Sequence, residues 1–158
     1  MSLIDTFAAP GRFWRGNIHG HSTRSDGAWS PEDVCAAYAR EGYDFIALTD
    51  HFLARFDFPI TNTTALRTDD FTTILGAEVH APETARGMEW HILAVGLPAD
   101  FARTGEAETG PELARRCLNA GAFVTIAHPH WYNLTVEDAR TLGDVHAVEV
   151  YNHTCAIH

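Results

Sequence analysis

The chain has 158 residues, 46% of them hydrophobic and 20% charged, with a formal net charge of −10 in which every cation is arginine. That balance fits one globular domain with a sizeable core and excludes a disordered chain. The acidity excludes a general electrostatic pull on duplex nucleic acid or on an anionic membrane.

No apolar run approaches bilayer-spanning length, and the opening stretch MSLIDTFAAP lacks a cationic segment with an apolar one behind it. A cytoplasmic protein is expected. Cys35, Cys117 and Cys155 stand far apart, without a C-x-x-C pair, so neither a disulfide framework nor a thiolate metal site is expected, and packing is their expected role.

The elements alternate between strand and helix. Phe13–His21 reads as a strand ending in a polar, glycine-containing turn. Ser30-Pro31-Glu32-Asp33 is a helix start: a capping serine, proline at the first position, then acids in the first turn. Val34, Ala37 and Tyr38 recur at helical spacing up to Gly42. Phe45–Leu48, Phe71–Leu75, His91–Gly96 and Phe123–Ala127 read as buried strands. Glu112–Ala120 and Val136–Leu142 read as helices, and Ala147–Tyr151 as a last strand. Phe52–Asp70 and Pro98–Gly110 carry no period and are expected as long loops. Strands separated by helices predict a parallel β/α architecture in one domain, 1–158.

The chemistry gathers at strand ends. His19, His51, Glu78 and His128 each stand at or just past the C-terminal end of a predicted strand, where parallel β/α folds collect their ligands. In His19-Gly20-His21, residues i and i+2 point to one face, so both imidazoles can reach one ion. Ser25-Asp26-Gly27 sets a carboxylate in a tight turn beside the pair. Asp50, in Thr49-Asp50-His51, either orients a ligating histidine or caps a turn. His91 opens the next strand. Glu78 has two oxygens and can bridge two ions. An imidazole–carboxylate set without thiolate suits Mn, Zn or Fe, and two or three adjacent ions suit in-line displacement at phosphorus.

The stretch NIHGHSTRSDGAWSPEDVCAAYAREGYDFIALTDH resembles the opening of the PHP (polymerase and histidinol phosphatase) family: H-x-H, then S-D-G, then T-D-H after an apolar strand. The later GAE, EWHILAVG, AHP and VEVYN segments resemble it in sequence order, so the likeness runs over about residues 13–152. The resemblance implies a distorted (β/α)7 barrel with a metal cluster at the strand ends. It implies that His19 and His21 hold a first ion, that Glu78 bridges to a second completed by His91 and His128, and that Asp26 and His51 serve a third. Glu78, His51 and Asp26 are the candidate catalytic residues, and a metal-bound hydroxide would attack phosphorus. The family pattern closes with a D-x-H. None follows Tyr151, and Asp144-Val145-His146 precedes the sixth strand. The barrel is therefore expected to be incomplete at its C-terminus. A missing segment or a second copy is expected to cover its open edge, and the third ion is expected to bind weakly.

Arg24, beside the metal motif, is a candidate phosphate contact, and His130, beside Trp131 and Tyr132, a candidate pocket residue. Glu149 is expected to face the barrel interior. His80, His146, His153 and His158 receive no role. The expected activity is metal-dependent hydrolysis of a small-molecule phosphomonoester, with no membrane and no duplex nucleic acid as partner. The alternatives are a nuclease or nucleotide phosphatase of the same family, and a non-catalytic module that binds metal or a partner.

Overall fold

The computed structural model describes residues 10–84 and 86–156, so the opening stretch and His158 lie outside the described residues. Three of the helices begin on a capping side chain. Helix α1 (Pro31–Arg40) starts on Ser30, whose Oγ accepts from the Asp33 N–H, and gives way to Gly42 at φ +76°. Helix α2 (Gly110–Asn119) begins two residues earlier than its apolar pattern suggests. Thr109 and Glu112 form a reciprocal capping box there, and Pro111 fits the first turn. Helix α3 (Val136–Thr141) starts on an equivalent Thr135–Asp138 box.

The strands are β1 (Gly16–Asn17), β2 (Phe45–Leu48), β3 (His51–Phe52), β4 (Thr72–Ala81), β5 (Trp90–Val95), β6 (Phe123–Ile126) and β7 (Ala147–Val148). They form one sheet in the order β1-β2-β4-β5-β6-β7, with β3 beside the second half of β4. A short helix, α4 (His153–Ala156), follows. The loop at 52–70 holds only two 3-10 turns, and the loop at 98–109 has no helix or strand.

Three expectations are corrected here. The sheet is not wholly parallel: β5 runs antiparallel to both β4 and β6. Only residues 82–89 join β4 to β5, too few for a parallel crossover, so the chain must turn back as a hairpin. The third strand does not stop at Leu75 but runs to Ala81, because Gly76 lets the β5 backbone approach; a Cβ there would lie 2.8 Å from the Ala94 carbonyl oxygen. The first and last strands are two residues each, so His19, His21 and Glu149 lie just beyond a strand.

Two apolar clusters secure the sheet. Val34 and Cys35 of α1 pack on Ile46, Leu48 and Phe71. Leu113, Ala114 and Cys117 of α2 pack on Val79, Ile92 and Val124, all shielded from solvent. The edge strands β1 and β7 do not pair with each other, yet His19, just past β1, meets Glu149, just past β7, at 3.0 Å. The sheet is therefore curled into part of a barrel, and its rim closes on the histidines. Among the described residues, no helix is long and apolar enough to cross a membrane.

Candidate metal centre

The segment after β1 leaves the sheet but stays tied to the residue after β2. Thr49 holds it: its Oγ1 accepts from the Gly20 N–H at 3.1 Å, and its own N–H donates to the Gly20 carbonyl at 2.8 Å. His19 and His21 thereby keep the common orientation expected of a strand pair. The chain then turns over Ser22, whose carbonyl accepts from the N–H groups of Ser25 and Gly27. Gly27 passes so close that a Cβ would lie 2.4 Å from the His21 carbonyl oxygen.

Asp50 secures this turn from below. Fully buried, its carboxylate accepts from Ser22 N (2.7 Å), Ser22 Oγ, Ser25 Oγ (2.8 Å) and Thr61 Oγ1 (2.7 Å). Of the two roles open to Asp50, the structure selects the turn clamp: its recorded partners are hydroxyls and a backbone N–H, and none is a histidine.

Glu78 is the centre of the cluster and is fully buried. His91 Nδ1 (2.7 Å) and His128 Nε2 (3.2 Å) face its Oε1. His51 Nδ1 (3.2 Å), His21 Nε2 (3.3 Å) and His19 Nε2 (3.5 Å) face its Oε2. Asp26 joins from the turn, its Oδ2 3.3 Å from His51 Nε2 and its Oδ1 3.7 Å from His21 Nδ1. His91 reaches the rim although it opens its strand, because β5 is antiparallel and its first residues lie at the end of β4. All seven residues selected as ligands from the sequence thus stand together.

Glu149 meets the expectation that it faces inward. It takes His19 Nδ1 on one oxygen and the His128 N–H on the other, at 2.7 Å. His80 is the residue that sequence reasoning missed. It is buried, and its Nε2 lies 2.8 Å from His51 Nδ1. The signal was present: Glu78-Val79-His80 has the same i, i+2 spacing as His19-Gly20-His21.

The donors fit a cation. Glu78 Oε2 has three imidazole nitrogens within 3.5 Å yet makes no hydrogen bond, and buried His21 Nδ1 and His128 Nδ1 have no hydrogen-bond partner either. Buried donor atoms drawn together without hydrogen-bond partners are the arrangement that a cation completes. Three groups bring donor atoms within 4.8 Å of one another: His19, His21 and Glu78; His21, Asp26 and His51; and His51, Glu78, His80 and His91.

The metal-free cluster holds its charges unevenly. Burial alone would raise the Glu78 carboxyl, but His128, His19, His21 and His91 hold it well below the usual range. Burial likewise opposes protonation of His19, and the Glu149 and Glu78 carboxylates outweigh it, raising that imidazole to about 9. His51 is lowered to about 4 by burial and by its neighbours His21 and His80, despite Glu78, so its lone pair is free at neutral pH.

A cavity of about 480 Å³ opens over the cluster, lined on its outer side by Trp131, Asn152, Thr154 and Cys155. The two candidate substrate contacts are not in its lining. Arg24 and His130 are both exposed, and Trp131 holds the place expected for His130.

The profile of the PHP domain matches residues 17–139. The chain belongs to the PHP-domain family. Three solved structures share the fold of this PHP domain. One, described as a metal-dependent phosphoesterase of Bifidobacterium adolescentis, is 12% identical, with TM-score 0.64 over 87% of this chain and 77% of that one. A two-domain protein of Bacteroides vulgatus, with a PHP-like metal-dependent phosphoesterase predicted in it, is 22% identical, with TM-score 0.62 over 87% and 44%. An amidohydrolase of Chromobacterium violaceum with bound sulfate is 16% identical, with TM-score 0.66 over 86% and 76%. A DNA polymerase/3'-5' exonuclease, PolX, of Bacillus subtilis is 46% identical over 37 residues, which is 23% of this chain and 6% of the polymerase.

Proposed function

We infer that this PHP domain is a metal-dependent phosphoesterase hydrolysing a small-molecule phosphomonoester, with two or three ions of Mn, Zn or Fe. The observation that carries the reading is Glu78, a buried carboxylate with histidines drawn up separately to each of its oxygens. That is how one carboxylate holds two cations side by side. His19 and His21 would hold one ion and His91 and His128 the next, with Glu78 between them. Asp26 and His51 would hold a third.

When bound, such ions acidify a water and neutralise charge on phosphoryl oxygens. The chain's own groups do the rest. Glu149 fixes His19 and the backbone at His128, and Asp50 sets the height of the Asp26 turn. Trp131 supplies an apolar wall to the cavity. No arginine is in the cavity lining among the described residues, so an anionic ester would depend on cations held by the cluster. The cavity volume suits a small molecule better than a polymer. Cytoplasmic location, and a second copy or further chain segment against the edge strands, belong to the same proposal.

The test is elemental analysis followed by a substrate screen. Two or three equivalents of Mn, Zn or Fe, with hydrolysis of phosphomonoesters that chelation abolishes, is the expected result. A chain that takes up no metal after reloading refutes the reading. The short likeness to PolX supports one second reading, a nuclease. Turnover of short single-stranded oligonucleotides but of no phosphomonoester would favour it.

A further inference from the structure

His80 has no place in the ligand set implied by the family resemblance, yet it is 3% exposed at the heart of the cluster. Its position is set by sheet register. It stands two residues beyond Glu78 on β4 and directly opposite His91 on β5, so all three project to one face. Glu89 lies two residues before His91 and reaches the far side of the ring, its Oε2 3.3 Å from His80 Nδ1. On the near side, His80 Nε2 is 2.8 Å from His51 Nδ1. Beyond that ring, His51 Nε2 faces Asp26 Oδ2 at 3.3 Å. Glu89, His80, His51 and Asp26 therefore stand in a row from a second cavity of about 420 Å³, lined by His80 and Glu89, to the metal cluster, with a hydrogen bond between the two imidazoles and ion-pair distances at either end.

The proton positions along this row follow from hydrogen-bond chemistry. Glu89 Oε2 lies outside hydrogen-bond geometry with His80 Nδ1, but a carboxylate accepts only, so its charge at 3.3 Å favours the proton of His80 on Nδ1. That leaves a lone pair on His80 Nε2, and because Glu78 Oε2, at 3.2 Å, is also an acceptor, both neighbours of His51 Nδ1 call for a proton there. His51 is then left with its lone pair on Nε2, aimed at Asp26. A distance of 2.8 Å is that of a hydrogen bond between two nitrogens. We propose that His80 and Glu89 are positioning residues that fix the tautomer of His51, so that its Nε2 is presented to the ion shared with Asp26. The inference rests on the metal reading above. A carboxylate behind a ligating histidine is the usual device; here a second imidazole is interposed.

The test uses the 158-residue chain with Co(II) as probe, and long-range ¹H–¹⁵N correlation of the histidine rings. His80→Gln keeps an acceptor near the Nε2 position, and His80→Leu removes it. We expect His80→Leu to weaken Co(II) binding at the Asp26–His51 position by about 10- to 100-fold. His80→Gln should stay within about threefold of the parent chain, since its acceptor serves His51 in the same way. Wild-type spectra should place the His51 proton on Nδ1, and His80→Leu should lose that signature. A residue serving only to pack would behave the other way, tolerating leucine and resenting glutamine.

Equal loss in both variants, with the His80 Nε2 resonance moving to the position of a metal-bound imidazole on addition of diamagnetic Zn(II), would make His80 a ligand and overturn the proposal. Unchanged binding in both would also overturn it. Glu89→Gln, on a half-exposed side chain, decides the matter if His80→Leu fails to fold: it should weaken binding and mix the His51 tautomers. Wild-type protein that binds no Co(II) would sink the metal reading itself. Wild-type binding with indifferent variants sinks only the relay.

Discussion

Asp50→Ala is the substitution whose cost is best defined by the structure. The carboxylate is fully buried and accepts from one backbone N–H and three hydroxyls, with Ser22 Oγ reaching both of its oxygens. The hydroxyls can turn to other partners, but the Ser22 N–H cannot, and a buried backbone donor left bare costs about 1–3 kcal/mol. Hydrogen bonds to a charged acceptor contribute about 1.5–3 kcal/mol each before the desolvation of that charge is set against them. The net loss should be about 3–4 kcal/mol, a large share of the roughly 5–15 kcal/mol that holds a domain folded. Asp50→Asn keeps an acceptor for Ser22 N and should cost about half as much. Urea unfolding of the metal-free chain, read as midpoint and slope, measures both, and the alanine variant should melt about 10 °C lower. Because Ser22 and Ser25 lead into Asp26, metal affinity should fall in the same order. A loss below about 1 kcal/mol for Asp50→Ala would refute the clamp.

Glu78→Ala and His51→Ala should each lower metal occupancy in elemental analysis while far-UV circular dichroism stays that of the parent; full occupancy in both would dismiss the assigned site. Gly27→Ala must push the turn away from His21, where a Cβ would sit 2.4 Å from the carbonyl oxygen, so it should lower the affinity of the Asp26 position in Co(II) titration while leaving the remaining equivalents bound. His19, raised to about 9 in the metal-free chain against an ordinary 6.5, adds stability that is fully present below pH 6.5 and lost as pH rises through 9. Chemical denaturation across that window should show the decline. The same proton must leave when a cation binds, so Co(II) uptake at pH 7 should release about one proton from this site, seen as a dependence of binding heat on buffer ionisation enthalpy.

The parts of the centre legible in the sequence are those whose geometry is local. H-x-H needs only an extended backbone, and S-D-G needs only a tight turn. The cap residues of α1 act within one turn of helix, and the structure keeps them where the residues place them. What escaped was decided across the sheet. Gly76 punctuates β4 and reads as its end, and with the strand cut short there the pairing of Glu78 with His80 was lost to view. The glycine is there because β5 passes close, a fact about a neighbour 18 residues away. Counting the eight residues between β4 and β5 against the length of a parallel crossover would have revealed the reversed strand.

Arg24 and His130 were selected by chemical type beside a motif, and type does not say which way a loop residue faces. The same distinction separates the two shells of the centre. Residues that point at Glu78 are recognisable singly, because an imidazole at a strand end has few other reasons to be there. Glu149, Asp50, His80 and Glu89 act on those residues from behind, and each would be ordinary in another fold: a strand glutamate, a turn aspartate, a core histidine, a hairpin glutamate. The roles of Glu149, His80 and Glu89 exist only because the sheet curls far enough to bring the end of β7 against the segment after β1, and because β5 folds back beside β4. The curl of the sheet therefore contributes to the chemistry directly: it brings Glu149 to His19 and the reversed strand brings His80 to His51, so that two of the imidazoles are held from behind.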